Sequence, residues 1–546
     1  MDVKTTIAGI LRDEGVSFVS CFPENLLIDA FVAAGIRPVV CRSERVVLNV
    51  ADGYARVAGP GRFGVAVTQY GPGIENAYAG VAQAYGDAVP VLVLPGRRTR
   101  LHATSATDFD AVSNLRGVTK WAAELVLPEQ VPAVMRKAIT ALRNGRGGPV
   151  LVEVPADIGN EEVDAAQAYV SPKTHRTAPD PADVEEAADM LLGSRRPVIL
   201  AGQGIHWSQA WDELLELAEL LEVPVLTTVN GKSAFPEDHE LSLGTAGMSR
   251  TGMVVDHLDD ADLVFAVGTS LRDWWMSPRV PKHAVLIHAT LDDRDLNKDH
   301  AAHHAVFGDA KLVLSSMVAA VTDRLGSGPP AFEPRRESIR QSKRAWQARW
   351  AAKLNSDEVP LNPYRVIAEL GRRLDPRTTV VTHDSGNPRE QATAFIESRP
   401  RSYVGWGNST QLGYSLGLAM GIKLALPERD VFNVMGDAAF GMTGLDLETA
   451  VRNEIGIITI LLNNSTMANY GRYMPLAIER HQANRLGGDY ADLARALGAF
   501  GARVTNPGEL AGAFSGAIAS AREGRPALLE FITCEEPAVS GNEPRG

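Results

Sequence analysis

The sequence predicts an α/β protein made of three domains, each a doubly wound parallel sheet. Short apolar runs such as VPVLVL (89–94), RPVILAG (196–202) and IGIITILLNN (455–464) have the length of buried strands. Helical patterns alternate with these runs along the chain, which is typical of parallel sheets joined by right-handed crossovers. At roughly 150 residues per domain, 546 residues are enough for three or four domains.

Two polar, proline-rich stretches divide the chain. The first is SPKTHRTAPDPAD (171–183), and the second runs from GSGPPAFEPRRE, beginning at Gly326, through a charged segment to about Pro360. Treated as linkers, they predict three domains, at residues 1–170, 184–325 and 361–546. The first and third share a layout of small-residue helix, strand, glycine-containing turn, helix and strand. Two copies of one unit suggest duplicated domains that face one site.

Composition excludes several classes of protein. With 54 Lys and Arg against 66 Asp and Glu, the net charge is -12, which argues against a nucleic-acid partner. The three cysteines cannot form a disulfide framework, and no C-x-x-C zinc pattern occurs. The N-terminus lacks the apolar core of a signal peptide, and the apolar runs are shorter than the ~18 residues that span a membrane. We therefore expect a cytoplasmic protein without a membrane partner.

The strongest motif is GDAAFGMTGLDLETAVRNEIGIITILLNN (436–464). One predicted strand ends in Gly-Asp and the next ends in Asn-Asn, with a helix between them. Because ligands bind at the carboxyl ends of parallel strands, Asp437 and Asn464 are expected to lie together there. A carboxylate and an amide oxygen are suitable ligands for Mg²⁺ that also holds phosphates.

The same motif predicts how a phosphate group could approach. Gly436 and the small residues Ala438 and Ala439 would let backbone N–H groups contact a diphosphate at the start of the next helix. Thr443 and Asp446 have the spacing of a capping box, so we expect that helix to begin near them.

This motif resembles the Gly-Asp-Gly…Asn-Asn motif of thiamine diphosphate-dependent enzymes, with Ala438 in place of the third glycine. CRSERVVLNVADGYARVAG (41–59) is similar to the segment around the glutamate of their pyrimidine-binding domain. TQYGPGIENAYAGVAQAYGDAVPVLVLPG (68–96) and NGKSAFPEDHELSLGTAG (230–247) resemble the acetolactate synthase-like group. The resemblance covers nearly the whole chain. It implies pyrimidine-binding, middle and diphosphate-binding domains, with thiamine diphosphate and Mg²⁺ as cofactors.

The resemblance also implies roles for individual residues. Glu44 would be the acid that hydrogen-bonds the aminopyrimidine ring and activates the cofactor. Asp437, Asn464 and the backbone carbonyl of Thr466 would bind Mg²⁺. Leu412 would support the bent shape of the cofactor. Further cofactor contacts are implied for Ser385, Gly386, Asn387, Gly436, Ala438, Ala439 and Met467.

The substrate pocket departs from the family pattern. Gln69 and Tyr70 precede the Gly-Pro-Gly turn, where small residues are usual. Thr107 and the alanine before it stand where acetolactate synthases carry Phe-Gln, and Tyr470 and Tyr473 occupy the counted positions of a Val and a Trp. These changes predict a reshaped pocket with phenolic hydrogen-bonding groups. Gln69, Tyr70, Thr107 and Tyr470 are therefore candidate catalytic residues.

Flavin binding is doubtful, because GTSLRDWW (268–275) replaces the Arg-Phe-Asp-Asp-Arg type run of flavin-binding relatives. A nucleotide or CoA group could occupy the same region. The resemblance further implies a homodimer or homotetramer in which Glu44 of one subunit faces Asp437 of another.

The leading functional hypothesis is an acetolactate synthase-like enzyme. It would decarboxylate a 2-oxo acid and transfer the acyl-anion equivalent to a carbonyl acceptor. The alternatives are a non-ligating 2-oxo acid decarboxylase, a lyase acting on 2-hydroxyacyl-CoA or oxalyl-CoA substrates, and a non-catalytic relative that serves as an assembly or binding subunit. A Rossmann-type NAD enzyme is excluded, because no strand is followed by G-x-G-x-x-G with a downstream acid.

Overall fold

Three six-stranded parallel sheets form the framework of the protein. The structure is a computed structural model, and it describes residues 1–102, 109–164, 169–248, 250–326, 332–468 and 470–540. Each sheet lies within one of the three predicted domains, and helices flank it. The predicted fold class is confirmed. The domain boundaries themselves stay a prediction.

The first sheet has the strand order β2-β1-β3-β4-β6-β5. Its apolar strands have the burial on both faces that a parallel sheet requires. The elements of this domain are α1 Val3–Asp13, β1 Phe18–Cys21, α2 Leu27–Ala33, β2 Arg37–Val40, α3 Glu44–Val57, β3 Gly64–Thr68, α4 Pro72–Gly86, β4 Val91–Arg97, α5 Ala111–Leu115, β5 Trp121–Glu124, α6 Val131–Arg143 and β6 Val150–Pro155.

The middle sheet has a different order, β12-β11-β10-β7-β8-β9, in which the strand order reverses beside β7. Its elements are α7 Pro181–Leu192, β7 Pro197–Ala201, α8 Gly204–Ser208, α9 Trp211–Leu221, β8 Val225–Thr227, β9 Ser242–Thr245, α10 Gly252–Leu258, β10 Leu263–Val267, β11 Val285–Thr290, β12 His304–Phe307 and α11 Ala310–Leu325.

The third sheet, ordered β14-β13-β15-β16-β18-β17, repeats the topology of the first, so the shared layout expected from the sequence is confirmed. Its elements are α13 Pro363–Gly371, β13 Thr379–His383, α14 Asn387–Phe395, β14 Tyr403–Val404, α15 Ser415–Ala425, β15 Asp430–Gly436, α16 Asp437–Thr443, α17 Leu447–Arg452, β16 Ile457–Asn463, α18 Pro475–His481, α19 Tyr490–Ala496, β17 Phe500–Val504, α20 Leu510–Arg522 and β18 Ala527–Ile532.

The charged stretch before the third domain is not a simple linker, because it contains a helix, α12, over Arg336–Leu354. Two tryptophans anchor this helix. The ring of Trp346 stacks on Phe395 with centroids 4.8 Å apart, and the ring of Trp350 lies 4.7 Å from that of Tyr364. Burial of these aromatic rings explains why so polar a segment is ordered.

The capping box predicted for Thr443 and Asp446 is wrong, because neither side chain makes a capping hydrogen bond, although helix α17 does begin next to them at Leu447. The helix α16 begins at Asp437, directly after β15, and the residues around 444–446 form a short 3-10 turn. The Thr443 hydroxyl donates 2.8 Å to the Gly413 carbonyl, and Asp446 accepts the Arg42 N–H at 2.8 Å. Both side chains therefore have tertiary partners instead of capping a helix.

Helix α3 of the first domain packs closely against α15 of the third. A Cβ added to Gly53 would overlap the backbone carbonyl of Leu418, and one added to Gly421 would overlap the carbonyl of Val50. The two helices therefore meet backbone to backbone, which only glycine allows at these positions. This contact joins the domain that carries Glu44 to the domain that carries Asp437.

We expect Gly53→Ala to destabilise the protein by about 1–3 kcal/mol or more, because neither backbone can easily move to accept the methyl group. The matched control is Gly9→Ala in α1, where an added Cβ meets nothing within 4 Å. That control should be neutral or slightly stabilising, since alanine favours helices. Thermal midpoints of the three proteins measure the difference. Equal midpoints for Gly53→Ala and wild type would contradict the close packing.

Across the part of the chain that the structure describes, no helix is both long and apolar enough to cross a bilayer.

Candidate active site

The centre of the candidate site is the carboxyl edge of the third sheet, where β15 and β16 end side by side. Gly436 pairs with Leu462, so Asp437 and Asn464 follow neighbouring strand ends. The Asp437 Oδ1 accepts the Ala438 N–H at 2.8 Å. The Asn464 Oδ1 accepts the backbone N–H of Thr466 at 3.0 Å and its hydroxyl at 2.9 Å. The predicted convergence of these strand ends is thus present in the fold.

The second carboxylate oxygen of Asp437, Oδ2, is buried and has no hydrogen-bond partner among the described residues. Burial raises the pKa of Asp437, although backbone N–H groups of Ala438, Ser465 and Thr466 oppose this shift. A buried carboxylate oxygen without a partner is costly, and a divalent cation would satisfy it. This oxygen and the neighbouring Asn464 fit a magnesium ion that prefers oxygen ligands.

No group of three or more His, Cys, Asp or Glu side chains with metal-binding geometry occurs among the residues that can be described. A cation at this edge would therefore rely on one carboxylate supplemented by neutral oxygens. Such a mixed donor set leaves coordination positions for water and phosphate, as Mg²⁺ sites usually do.

The predicted diphosphate turn follows β13 on the same sheet edge. The Ser385 hydroxyl is buried and has no hydrogen-bond partner within the described ranges. Gly386 has φ of +84°, and Asn387 begins the nine-residue helix α14. A buried, unpaired hydroxyl beside a helix N-terminus suits a phosphate oxygen.

Asp384, which the sequence analysis missed, organises this turn. Its Oδ1 accepts the N–H groups of Ser385 and Gly413, both at 2.9 Å. Its Oδ2 accepts the Ser415 N–H at 2.9 Å and the Ser415 hydroxyl at 2.6 Å. Burial raises the pKa of Asp384 against these hydrogen bonds. Its position at a strand end, directly before Ser385, was the available signal.

Leu412 lies in the loop that Asp384 holds, half-buried, between the first and third domains. The Arg45 guanidinium donates to the Leu412 carbonyl, and the Gln411 side chain donates to the Ala79 carbonyl. Since Arg45 follows Glu44, these contacts bring the Glu44 segment to the Leu412 segment within a single chain.

Glu44 is the first residue of α3 and is 6% exposed. The Asn76 side chain donates to its carboxylate at 3.4 Å. A Cβ on Gly73 would lie 3.3 Å from Glu44 Oε1 and 2.7 Å from the Gln69 Cβ. Gly73 therefore lets the start of α4 pack directly against Gln69 and the Glu44 carboxylate, where even a methyl group would be too close.

The predicted pocket residues Gln69 and Tyr70 contact charged side chains, whereas Tyr470 is exposed. The Gln69 side chain donates to the Glu24 carboxylate, and the Arg98 guanidinium carbon lies 5.7 Å from the centroid of the Tyr70 ring. Tyr470 is 42% exposed, and its ring lies 6.4 Å from that of Tyr473. The contacts that join Glu44, Leu412 and Asp384 do not include Tyr470.

Met467 and Thr107 are the remaining predicted site residues. The backbone N–H of Met467 donates 2.7 Å to the Asn484 carbonyl, next to the Asn464 turn. Thr107 lies outside the described residues.

A separate cavity of about 240 Å³ lies where the three domains meet. Gln203 and Asn230 line it from the middle domain, with Asp87 from the first and Asn408 from the third. Part of the 268–275 segment also lines it, and the Arg272 guanidinium lies 4.6 Å from the Trp274 ring centroid. The segment that replaces the flavin-binding run therefore faces an interdomain cavity.

Three family models of thiamine pyrophosphate enzyme domains match the chain, in the order expected from the sequence. They are the N-terminal TPP binding domain at residues 1–114, the central domain at 184–317 and the C-terminal TPP binding domain at 384–531.

Similar proteins include the acetolactate synthase isozyme 3 large subunit of Escherichia coli K12, 30% identical, covering 98% of this chain and 94% of that protein. The probable acetolactate synthase large subunit of Methanocaldococcus jannaschii is 29% identical, covering 98% and 92%. The acetolactate synthase large subunit IlvB1 of Mycobacterium tuberculosis is 28% identical, covering 97% and 87%. With matches over nearly its full length, the chain belongs to the thiamine pyrophosphate enzyme family, in its acetolactate synthase-like group.

Proposed function

We propose that this chain is a thiamine diphosphate- and Mg²⁺-dependent carboligase that decarboxylates a 2-oxo acid and joins the remaining acyl group to a carbonyl acceptor. The observation that carries the proposal is the buried Oδ2 of Asp437, which has no hydrogen-bond partner within the described part of the chain. This oxygen lies beside Asn464, in the region that matches the family's C-terminal TPP binding domain.

The residues at this edge would hold the cofactor. Asp437, Asn464 and the Thr466 carbonyl would bind Mg²⁺, and the Ser385 hydroxyl would donate to the diphosphate. Backbone groups of Gly386, Asn387, Gly436, Ala438, Ala439 and Met467 would surround it. When bound, thiamine diphosphate supplies a nucleophilic carbanion and then an electron sink.

Glu44 would hold a proton at the aminopyrimidine nitrogen, because its carboxyl group is buried at the start of α3, where bulk solvent cannot easily replace it. Leu412 would support the cofactor from the other domain. Gln69, Tyr70, Thr107 and Tyr470 are proposed to shape the substrate pocket.

The assembly is proposed to be a homodimer or homotetramer. Tyr78, Met442 and Leu445 are exposed around the Leu412 loop, and a second subunit would cover this apolar surface. Sedimentation equilibrium gives the subunit number. We expect no monomer at micromolar concentration.

A mixing experiment tests whether two subunits share each site. If they do, pairing Glu44→Gln with Asp437→Ala subunits leaves one intact site in each mixed dimer. Random pairing should then restore about a quarter of wild-type activity from two inactive proteins. Sites confined to one chain would give no recovery.

We further propose that the interdomain cavity carries no flavin, since the 268–275 segment departs from the flavin-binding run. The absorbance spectrum of the purified protein should then lack a flavin band. A yellow protein would contradict this proposal.

The function is tested with the purified chain, Mg²⁺, thiamine diphosphate and a panel of 2-oxo acids, with and without carbonyl acceptors. Release of CO₂ together with a carboligated product is expected. A free aldehyde as the sole product would identify a simple decarboxylase, and turnover of CoA thioesters alone would identify a lyase. Cofactor binding without any turnover would identify a non-catalytic relative.

A further inference from the structure

The loop that carries Leu412 covers residues 405–414 and joins β14 to α15. Two of its backbone groups are attached to the first domain. The Asn408 N–H donates 3.0 Å to the buried carboxylate of Asp87, and the Leu412 carbonyl accepts from the Arg45 guanidinium. The charged end of the cofactor would bind in the third domain. Leu412 therefore needs a separate link to the segments that would hold that end.

Gly413, directly after Leu412, provides this link, because side chains hold both of its backbone polar groups. Its N–H donates 2.9 Å to the Asp384 Oδ1, and its carbonyl accepts from the Thr443 hydroxyl at 2.8 Å. Its φ is +77°, and an added Cβ would lie 2.9 Å from the Ala439 carbonyl oxygen. The position therefore requires glycine, and its backbone has little room to move.

The two side chains that hold this residue belong to the segments proposed to bind the diphosphate and the metal. Asp384 directly precedes Ser385 and also accepts the Ser385 N–H at 2.9 Å. Thr443 ends α16, the helix that begins at Asp437. The residue next to Leu412 therefore joins the diphosphate turn to the metal-binding helix.

Asp384 is a buried charge whose hydrogen bonds depend on the conformation of this loop. Its side chain is fully buried, and its carboxylate accepts from Ser385, Gly413 and Ser415. Two of these three donors follow Leu412 within three residues. A displaced loop would therefore leave a buried carboxylate without most of its hydrogen bonds, which is costly. Asp384 thus favours a single position of the loop.

We propose that Asp384 and Thr443 are positioning residues that fix Leu412 for its support of the cofactor rings. Through Gly413, they would tie the side chain that meets the rings to the segments that bind the diphosphate and Mg²⁺. The inference rests on the proposed function. It predicts that both residues matter more for thiamine diphosphate than for a ligand that has the diphosphate group but no rings.

The test titrates the full chain with two ligands by calorimetry, with Mg²⁺ and without substrate. Thiamine diphosphate carries the rings, and inorganic pyrophosphate carries none. The ratio of the two affinities is compared between variants, because a direct effect on the diphosphate turn changes both affinities alike. Asp384→Asn places an amide N–H group against the donors of the loop. We expect it to reduce the preference for thiamine diphosphate by about tenfold or more.

A double-mutant cycle tests whether this effect passes through Leu412. Leu412→Ala alone should reduce the preference, because it removes the apolar support for the rings. Adding Asp384→Asn to Leu412→Ala should then change the preference by only about twofold or less, since the loop no longer carries the supporting side chain.

Thr443→Val is a milder variant that tests the same link should Asp384→Asn fail to fold. Valine has the shape of threonine without the hydroxyl that holds Gly413, so the preference should fall by about threefold. Thr443→Ser keeps the hydroxyl and should restore the preference. The matched control is Thr449→Val, which removes a buried hydroxyl that donates 2.8 Å to Asp446 beside α17. That control should leave the preference unchanged.

Equal losses of affinity for both ligands in Asp384→Asn and Thr443→Val would overturn the proposal, because these residues would then only support the diphosphate turn. A full further loss of preference in the Leu412→Ala background would also overturn it, as would the same loss in Thr449→Val. These results would leave the proposed function intact, because wild type would still prefer thiamine diphosphate. A wild-type protein without that preference would contradict the proposed function and this inference with it.

Discussion

Asp437→Ala should weaken Mg²⁺-dependent thiamine diphosphate binding by at least about a hundredfold, since even outer-shell changes at metal sites cost 10–100-fold. Asp437 supplies the carboxylate at the edge of the third sheet, and its Oδ2 has no hydrogen-bond partner among the described residues to compete with a cation. Calorimetric titration of the cofactor in the presence of Mg²⁺ measures the loss.

The same variant should not destabilise the empty protein. Burial raises the pKa of Asp437 above its value in an unfolded chain, so at neutral pH the charged carboxylate opposes folding until a cation binds. The thermal midpoint of the cofactor-free variant should therefore equal or exceed that of wild type. Asp375→Ala, which removes a partly exposed carboxylate paired with Arg377 far along the sequence from the metal motif, is the control for binding. Unchanged cofactor affinity in Asp437→Ala would refute the metal role.

The metal and diphosphate part of the site was predictable because ligands bind where neighbouring parallel strands end. Asp437 and Asn464 flank a single strand–helix–strand unit, and such a unit places both strand ends at one edge whatever the rest of the fold does. The neighbouring turn at Ser385 follows the same rule, because β13 pairs directly with β15.

The contacts between domains were not predictable in this way. The hydrogen bond from Arg45 to the Leu412 carbonyl joins residues 367 positions apart, and no local pattern encodes it. The capping box failed for the same reason, since Thr443 and Asp446 are bound by partners from distant segments. A capping pattern read from the sequence fails when the same polar side chains instead form hydrogen bonds with buried partners from distant segments.

Glu44→Gln should reduce turnover by about a thousandfold while leaving cofactor affinity within a few-fold of wild type, because general acid–base groups contribute typically 10²–10⁴-fold. Glutamine keeps the shape of the side chain but cannot hold an acidic proton. Glu44 is 6% exposed, so bulk solvent cannot easily substitute for it. Deuterium exchange at C2 of the bound thiazolium ring, followed by NMR, isolates the activation step from the later chemistry.

The control lies on the neighbouring helix. Glu75 is exposed in the first turn of α4, next to Asn76, which donates to Glu44. Glu75→Gln removes the same charge without touching the buried carboxylate, so its exchange rate should match wild type. Wild-type exchange in Glu44→Gln would contradict the activating role. Loss of both cofactor binding and thermal stability in that variant would also contradict it, since the buried carboxylate would then be holding α3 and α4 together instead of activating a ring.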